Sequence, residues 1–152
     1  MATLNSVNDV LDFAIEREQE AVDFYNDLAG QTDNASLKKV LTAFADVERG
    51  HKTKLQAAKL NEVVLSGSND DVVDLKIGDY LIDVQPGPDM SFQDALVVAI
   101  KREKAAMDLY ADLAGLVSDS DLQTLFNQLA REEGTHKLKF ETAYEEHFLS
   151  DN

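Results

Sequence analysis

Two short stretches of this chain carry residue types that can hold a metal. Glu48-Arg49-Gly50-His51 recurs 85 positions later as Glu133-Gly134-Thr135-His136. A Glu and a His three apart on a helix leave the same face, so each stretch offers one oxygen and one nitrogen ligand to a common centre. The first pair sits on the row Leu37, Leu41, Phe44, Glu48, His51, Leu55, and the second on Leu122, Phe126, Leu129, Glu133, His136, Phe140. Steps of three and four define the inward stripe of an amphipathic helix, so both carboxylates are expected to point into an apolar interior. An unpaired carboxylate there costs several kcal/mol, and a bound cation is the usual way of neutralising it.

Two further glutamates match the same pattern. Glu18 is the one charge in the stripe Leu11, Ala14, Ile15, Glu18, Ala21, Val22, Tyr25, Leu28, Ala29. Glu103 stands at the same offset among Leu96, Ala99, Ile100, Ala106, Met107, Tyr110 and Leu113. The repeat extends around them: Ala14-Ile15-Glu16-Arg17-Glu18 answers to Ala99-Ile100-Lys101-Arg102-Glu103, and Asp23 to Gly30 answers to Asp108 to Gly115. The remaining charges of the first helix, Glu16, Arg17, Glu20, Asp23 and Asp27, fall on solvated faces and are assigned no chemistry. Glu132 also precedes His136 at helical spacing, but its counterpart is Val47, so Glu133 is the consistent ligand and Glu132 a rim charge. His147 lies about three turns beyond His136, roughly 16 Å along a helix, too far for the same centre.

The inward set is therefore Glu18, Glu48, His51, Glu103, Glu133 and His136. Its four carboxylates would balance two divalent cations, the imidazoles staying neutral. This is the donor set of di-iron and di-manganese carboxylate bundles. Oxygen-rich ligation with one imidazole per metal suits iron or manganese, whereas structural zinc favours thiolates.

The elements that must position these residues follow from cap and breaker signals. Helices are expected near 6–30, 35–60, 91–115 and 119–148, with Ser6 and Asp9 capping the first, Ser91 and Asp94 capping the third, and Gly30 and Gly115 as ends. The turn at 31–34 is short enough to make the first two helices antiparallel, which sets Glu18 and Glu48 nearly level. Residues 61–90, with Ser66-Gly67-Ser68-Asn69 and Pro86-Gly87-Pro88, read as a crossover. It is apolar enough to lie along the bundle with a short extended piece, and long enough to return the chain the length of a helix. The fold class is all-α: a four-helix bundle of two repeated hairpins, forming one domain over 1–152.

Composition bounds the function. The chain has 152 residues, 28% charged and 44% hydrophobic, with a formal charge of −15 and no cysteine. Nucleic acid and anionic membrane are excluded as partners by that charge. The absence of cysteine excludes an iron–sulfur or rubredoxin-type centre within these residues, so an electron carrier must be a separate protein. With neither a signal sequence nor a spanning apolar run, a cytoplasmic location is expected. The long crossover leaves room for helix exchange between two chains, hence for a homodimer.

These residues resemble the ferritin-like superfamily and, within it, the rubrerythrin-type di-iron proteins. The likeness rests on Glu18-x-x-Ala21-x-x-x-Tyr25 with Glu48-x-x-His51, and on Glu103-x-x-Ala106-x-x-x-Tyr110 with Glu133-x-x-His136. It implies Glu18 and Glu103 as terminal ligands, Glu48 and Glu133 as bridges, and His51 and His136 as one nitrogen ligand each. Tyr25 and Tyr110 become the candidate catalytic side chains, as hydrogen-bond donors to ligand carboxylates across the bundle. Typical rubrerythrins carry a further carboxylate where this chain has Ala106, and they append a cysteine-rich electron-transfer domain. Without that further carboxylate, this chain is expected to hold a more symmetric centre. The implied function is binding of two irons, or of manganese or a mixed pair, with redox chemistry on peroxide or oxygen. The alternatives are a ferroxidase or iron-handling protein, and a non-catalytic metal-binding bundle.

Overall fold

The computed structural model describes residues 3–4, 7–60, 75–76 and 91–146. Four helices dominate: α1 (Val7–Gln31), α2 (Ala35–Leu60), α3 (Phe92–Leu116) and α4 (Ser120–Tyr144). Most of the crossover at 61–90, the Ser6 cap and His147 lie outside the described residues. From the crossover, β2 (Leu75–Lys76) pairs antiparallel with β1 (Thr3–Leu4), Thr3 opposite Lys76 and Leu4 opposite Leu75. A pair of two-residue strands does not change the all-α class.

Side chains close the helix starts by accepting otherwise unpaired backbone N–H groups. Asn34 Oδ1 accepts from Leu37 N at 3.0 Å, Ser91 Oγ from Asp94 N at 3.0 Å, and Asp119 Oδ1 from Leu122 N at 2.9 Å. The helix ends differ from expectation. Gly30 and Gly115 do not stop α1 and α3, which each continue one residue further, to Gln31 and Leu116. No glycine among the described residues has a positive φ, so neither adopts the left-handed conformation that terminates helices. The α4 element runs as α-helix to Tyr144 and continues as a helical turn through Glu145 and Glu146, and the expected end at 148 lies outside the described residues.

The apolar core falls into two clusters. One joins Leu11 and Ala14 of α1 with Leu55 near the end of α2, Leu109 and Leu113 late in α3, and Phe126 and Leu129 early in α4. The other joins Tyr25 and Leu28 late in α1 with Leu41 and Phe44 early in α2, Leu96 and Ala99 early in α3, and Phe140 late in α4. This pairing of starts with ends makes α1 antiparallel to α2 and α3 antiparallel to α4, with α2 and α3 running the same way. The end of α2 and the start of α3 accordingly lie at opposite ends of the bundle. Each fully buried leucine or phenylalanine contributes about 1.5–3 kcal/mol relative to exposure, so both ends of the bundle are held by ordinary hydrophobic packing. Between the two clusters lies a layer that is not apolar. Among the described residues no helix is long and apolar enough to cross a membrane.

Candidate metal centre

Six polar side chains make up that middle layer: Glu18 from α1, Glu48 and His51 from α2, Glu103 from α3, Glu133 and His136 from α4, all buried. The stripes that bury the leucines on either side also bury them, because they occupy the same faces one to two turns along. The six are the inward set read from the repeat, and the fold brings all of them together.

Their atoms fall into two overlapping groups. Ligand atoms of Glu18, Glu48, His51 and Glu133 lie within 4.8 Å of one another, and so do those of Glu48, Glu103, Glu133 and His136. Glu48 and Glu133 belong to both. The imidazoles aim the same nitrogen inward: His51 Nδ1 is 2.9 Å from Glu133 Oε1 and 3.6 Å from Glu18 Oε2, while His136 Nδ1 is 3.1 Å from Glu48 Oε1 and 3.8 Å from Glu103 Oε1. The two rings lie nearly parallel, 12° apart with centroids 6.2 Å apart. A pseudo-twofold relation between the hairpins thus extends to individual side-chain atoms.

Each of the six has a buried, inward-facing atom without a hydrogen-bond partner: Glu18 Oε2, Glu48 Oε1, His51 Nδ1, Glu103 Oε2, Glu133 Oε1 and His136 Nδ1. Buried polar atoms are almost always paired, and leaving one unpaired costs about 1–3 kcal/mol, more when charged. Six such atoms converging on one layer fit a pair of cations with oxygen and imidazole donors. Burial, followed by the nearby carboxylates, pushes Glu48 and Glu133 well above the usual carboxylate range. Like charges crowded into a dry site retain protons unless a cation replaces them.

The other oxygens of Glu103 and Glu18 are held from across the bundle. Tyr25 of α1 donates its hydroxyl to Glu103 Oε1, and Tyr110 of α3 donates to Glu18 Oε1 at 2.6 Å. Both phenols are buried, and burial together with the adjacent carboxylates raises their pKa well above the ordinary tyrosine value. They therefore remain protonated donors.

Three residues have surroundings that the sequence reading did not assign them. Arg17 and its repeat counterpart Arg102 join Glu18, Ala21, Tyr25, Glu48, Glu103, Ala106 and Glu133 around a cavity of about 30 Å³ between α1 and α3. Arg17 had been placed with the solvated charges; its guanidinium instead lies over Phe13, and that of Arg102 lies over Phe24. The internal repeat, which sets Arg17 and Arg102 at the same offset beside Glu18 and Glu103, is the signal the sequence offers. Glu132 is the third, and it is more than a rim charge. Its side chain is 39% exposed, but it reaches His51 of the other hairpin, Oε2 lying 3.3 Å from Nε2, and leaves its helix neighbour His136 alone. Spacing along one helix cannot reveal a neighbour on the facing helix.

Residues 5–67 match the Rubrerythrin family model. That stretch covers the first hairpin with Glu18, Glu48 and His51; the repeat extends the pattern to the second. Among solved structures, the chain is similar to a protein from Thermotoga maritima assigned as ferritin-like diiron-carboxylate, at 26% identity and a TM-score of 0.75, covering 93% of this chain and 95% of that one. It also shares its fold with a hypothetical protein from Pyrococcus furiosus, at 24% identity and a TM-score of 0.72, covering 92% of this chain and 89% of that one. No curated protein matches the sequence.

Proposed function

We propose that this chain, a ferritin-like domain of the rubrerythrin type, uses its middle layer to bind two iron ions and to reduce peroxide or oxygen. The observation that carries the reading is the pair of overlapping ligand groups sharing Glu48 and Glu133, each supplied with orphaned buried atoms. Glu18 and His51 would hold one metal, Glu103 and His136 the other, with Glu48 and Glu133 bridging. The whole chain is then one functional unit, since neither hairpin alone supplies four carboxylates.

When bound, two ferrous ions supply the two electrons that, with two protons, convert one hydrogen peroxide to two waters. The protein's own contribution is positional. Tyr25 and Tyr110 stay protonated, donate their hydroxyls to Glu103 and Glu18, and hold these carboxylates toward the centre. Ala21 and Ala106 leave the small cavity beside the glutamates. A water-sized guest needs about 10–15 Å³ of such space, so a cavity of about 30 Å³ beside the glutamates has room for small guests at the centre. Re-reduction would draw on an electron donor outside these residues, which have no cysteine to hold a relay.

The formal charge of −15 favours a second reading, in which Fe(II) is itself the substrate and the acidic surface gathers it. Rapid mixing of the diferrous protein with stoichiometric peroxide separates the two. Fast oxidation, followed by repeated turnover once a reductant is supplied, supports the first. Continued Fe(II) uptake with mineral formation supports the second and overturns the first.

A further inference from the structure

The two halves of the centre match atom for atom until the atoms behind the imidazoles are reached. His51 and His136 aim Nδ1 inward at similar distances, and each terminal glutamate receives one tyrosine. Behind His51, the buried Nε2 faces Glu132 Oε2 at 3.3 Å, a close polar contact between two buried atoms neither of which makes a hydrogen bond in this structure. The 85-residue offset puts Val47 at the corresponding place in the first hairpin. Among the described residues no carboxylate faces Nε2 of His136, whose ring packs edge-on against Phe44 with centroids 4.9 Å apart.

We propose that Glu132 is a positioning residue that holds the proton of His51 on Nε2, and so makes the Glu18–His51 half of the centre the tighter of two metal sites. This rests on the reading of the middle layer as a two-metal centre. A neutral imidazole carries its proton on one nitrogen only. With the proton on Nε2, Glu132 accepts it and the Nδ1 lone pair faces the metal. With the proton on Nδ1, the Nε2 lone pair would face a carboxylate oxygen and the ligand nitrogen would be blocked. Glu132 disfavours that second tautomer before any metal arrives. Among the described residues His136 has no carboxylate at its Nε2 to select one tautomer in this way. A carboxylate behind a ligand imidazole also raises its basicity, and such partners typically change metal affinity by about 10–100-fold.

The test is a titration of metal-free protein with Co(II), read by visible absorption and by calorimetry, on the wild type, Glu132→Val, Glu132→Gln and Val47→Glu. The wild type is expected to take up two equivalents in two steps differing by at least about tenfold. Glu132→Val gives the second hairpin the residue of the first and should weaken the first step toward the second. Glu132→Gln, which keeps an acceptor, should lose less. Val47→Glu should tighten the second step. In zinc-loaded protein, nitrogen-15 NMR of the imidazoles should show a solvent-protected Nε2–H at His51, lost in Glu132→Val. Thermal unfolding of the metal-free variants checks that the fold is kept. Equal steps in the wild type, equal weakening of both steps by Glu132→Val, or an unchanged second step in Val47→Glu would each overturn the proposal. Uptake of fewer than two equivalents by the wild type would instead contradict the two-metal reading beneath it.

Discussion

Glu48 and Glu133 differ from Glu18 and Glu103 in one respect that mutation can expose: each belongs to both ligand groups. Replacing Glu48 or Glu133 by alanine should lower binding of both metals, whereas Glu18→Ala or Glu103→Ala should mainly empty one. Metal titration of the four variants checks this, and the same partial loss from all four would disprove bridging. Tyr110→Phe removes the donor to Glu18 Oε1 and should destabilise metal-loaded protein by about 1.5–3 kcal/mol, the usual size of a hydrogen bond to a charged group. Denaturant unfolding of the loaded variant measures it, and an unchanged midpoint would mean that the hydroxyl does not hold the ligand. The six inward residues were legible because a charge on an apolar stripe is conspicuous, and an internal repeat shows it twice. Glu132 was not, because its importance lies in what faces it from α2. The arginines were missed for a related reason: a guanidinium lying over a ring looks, along the sequence, like any solvated charge.

At the scale of the helix, the period of three and four placed all four elements to within a residue or two at most ends. What misled was glycine read as a stop. Both Gly30 and Gly115 stay inside the last turn, and a Cβ built at either meets nothing within 4 Å. Gly30→Ala and Gly115→Ala should therefore each stabilise the fold by about 0.4–1 kcal/mol, by reducing the freedom of the unfolded chain. Urea unfolding tests this, and destabilisation would show that these positions need conformations only glycine reaches. The inward row of α4 was read without error: Leu122, Phe126, Leu129, Glu133, His136 and Phe140 are all buried. That of α1 was read too narrowly, since Val10, Phe13 and Phe24 are buried as well. A helix packed against two neighbours buries a wider arc than a single stripe, and one sequence does not show how many neighbours it has.

The whole molecule sets a charged layer between two apolar clusters, and without metal that layer opposes folding. The folded-state pKa values of Glu48 and Glu133 are raised, first by burial and then by neighbouring carboxylates. Below the ordinary glutamate pKa both states are protonated and the groups contribute nothing. As pH rises above it, the unfolded chain loses protons that the folded chain retains, so metal-free protein loses stability progressively toward the raised values. Metal binding has the opposite dependence, because the ligands must be deprotonated, and it strengthens as pH rises. Thermal unfolding of metal-free and metal-loaded protein between about pH 5 and 8 measures both dependences at once. The loaded protein should melt higher, by a margin that widens with pH while the metal-free midpoint falls. Identical melting of the two forms at every pH would mean that no metal centre occupies the middle of this bundle.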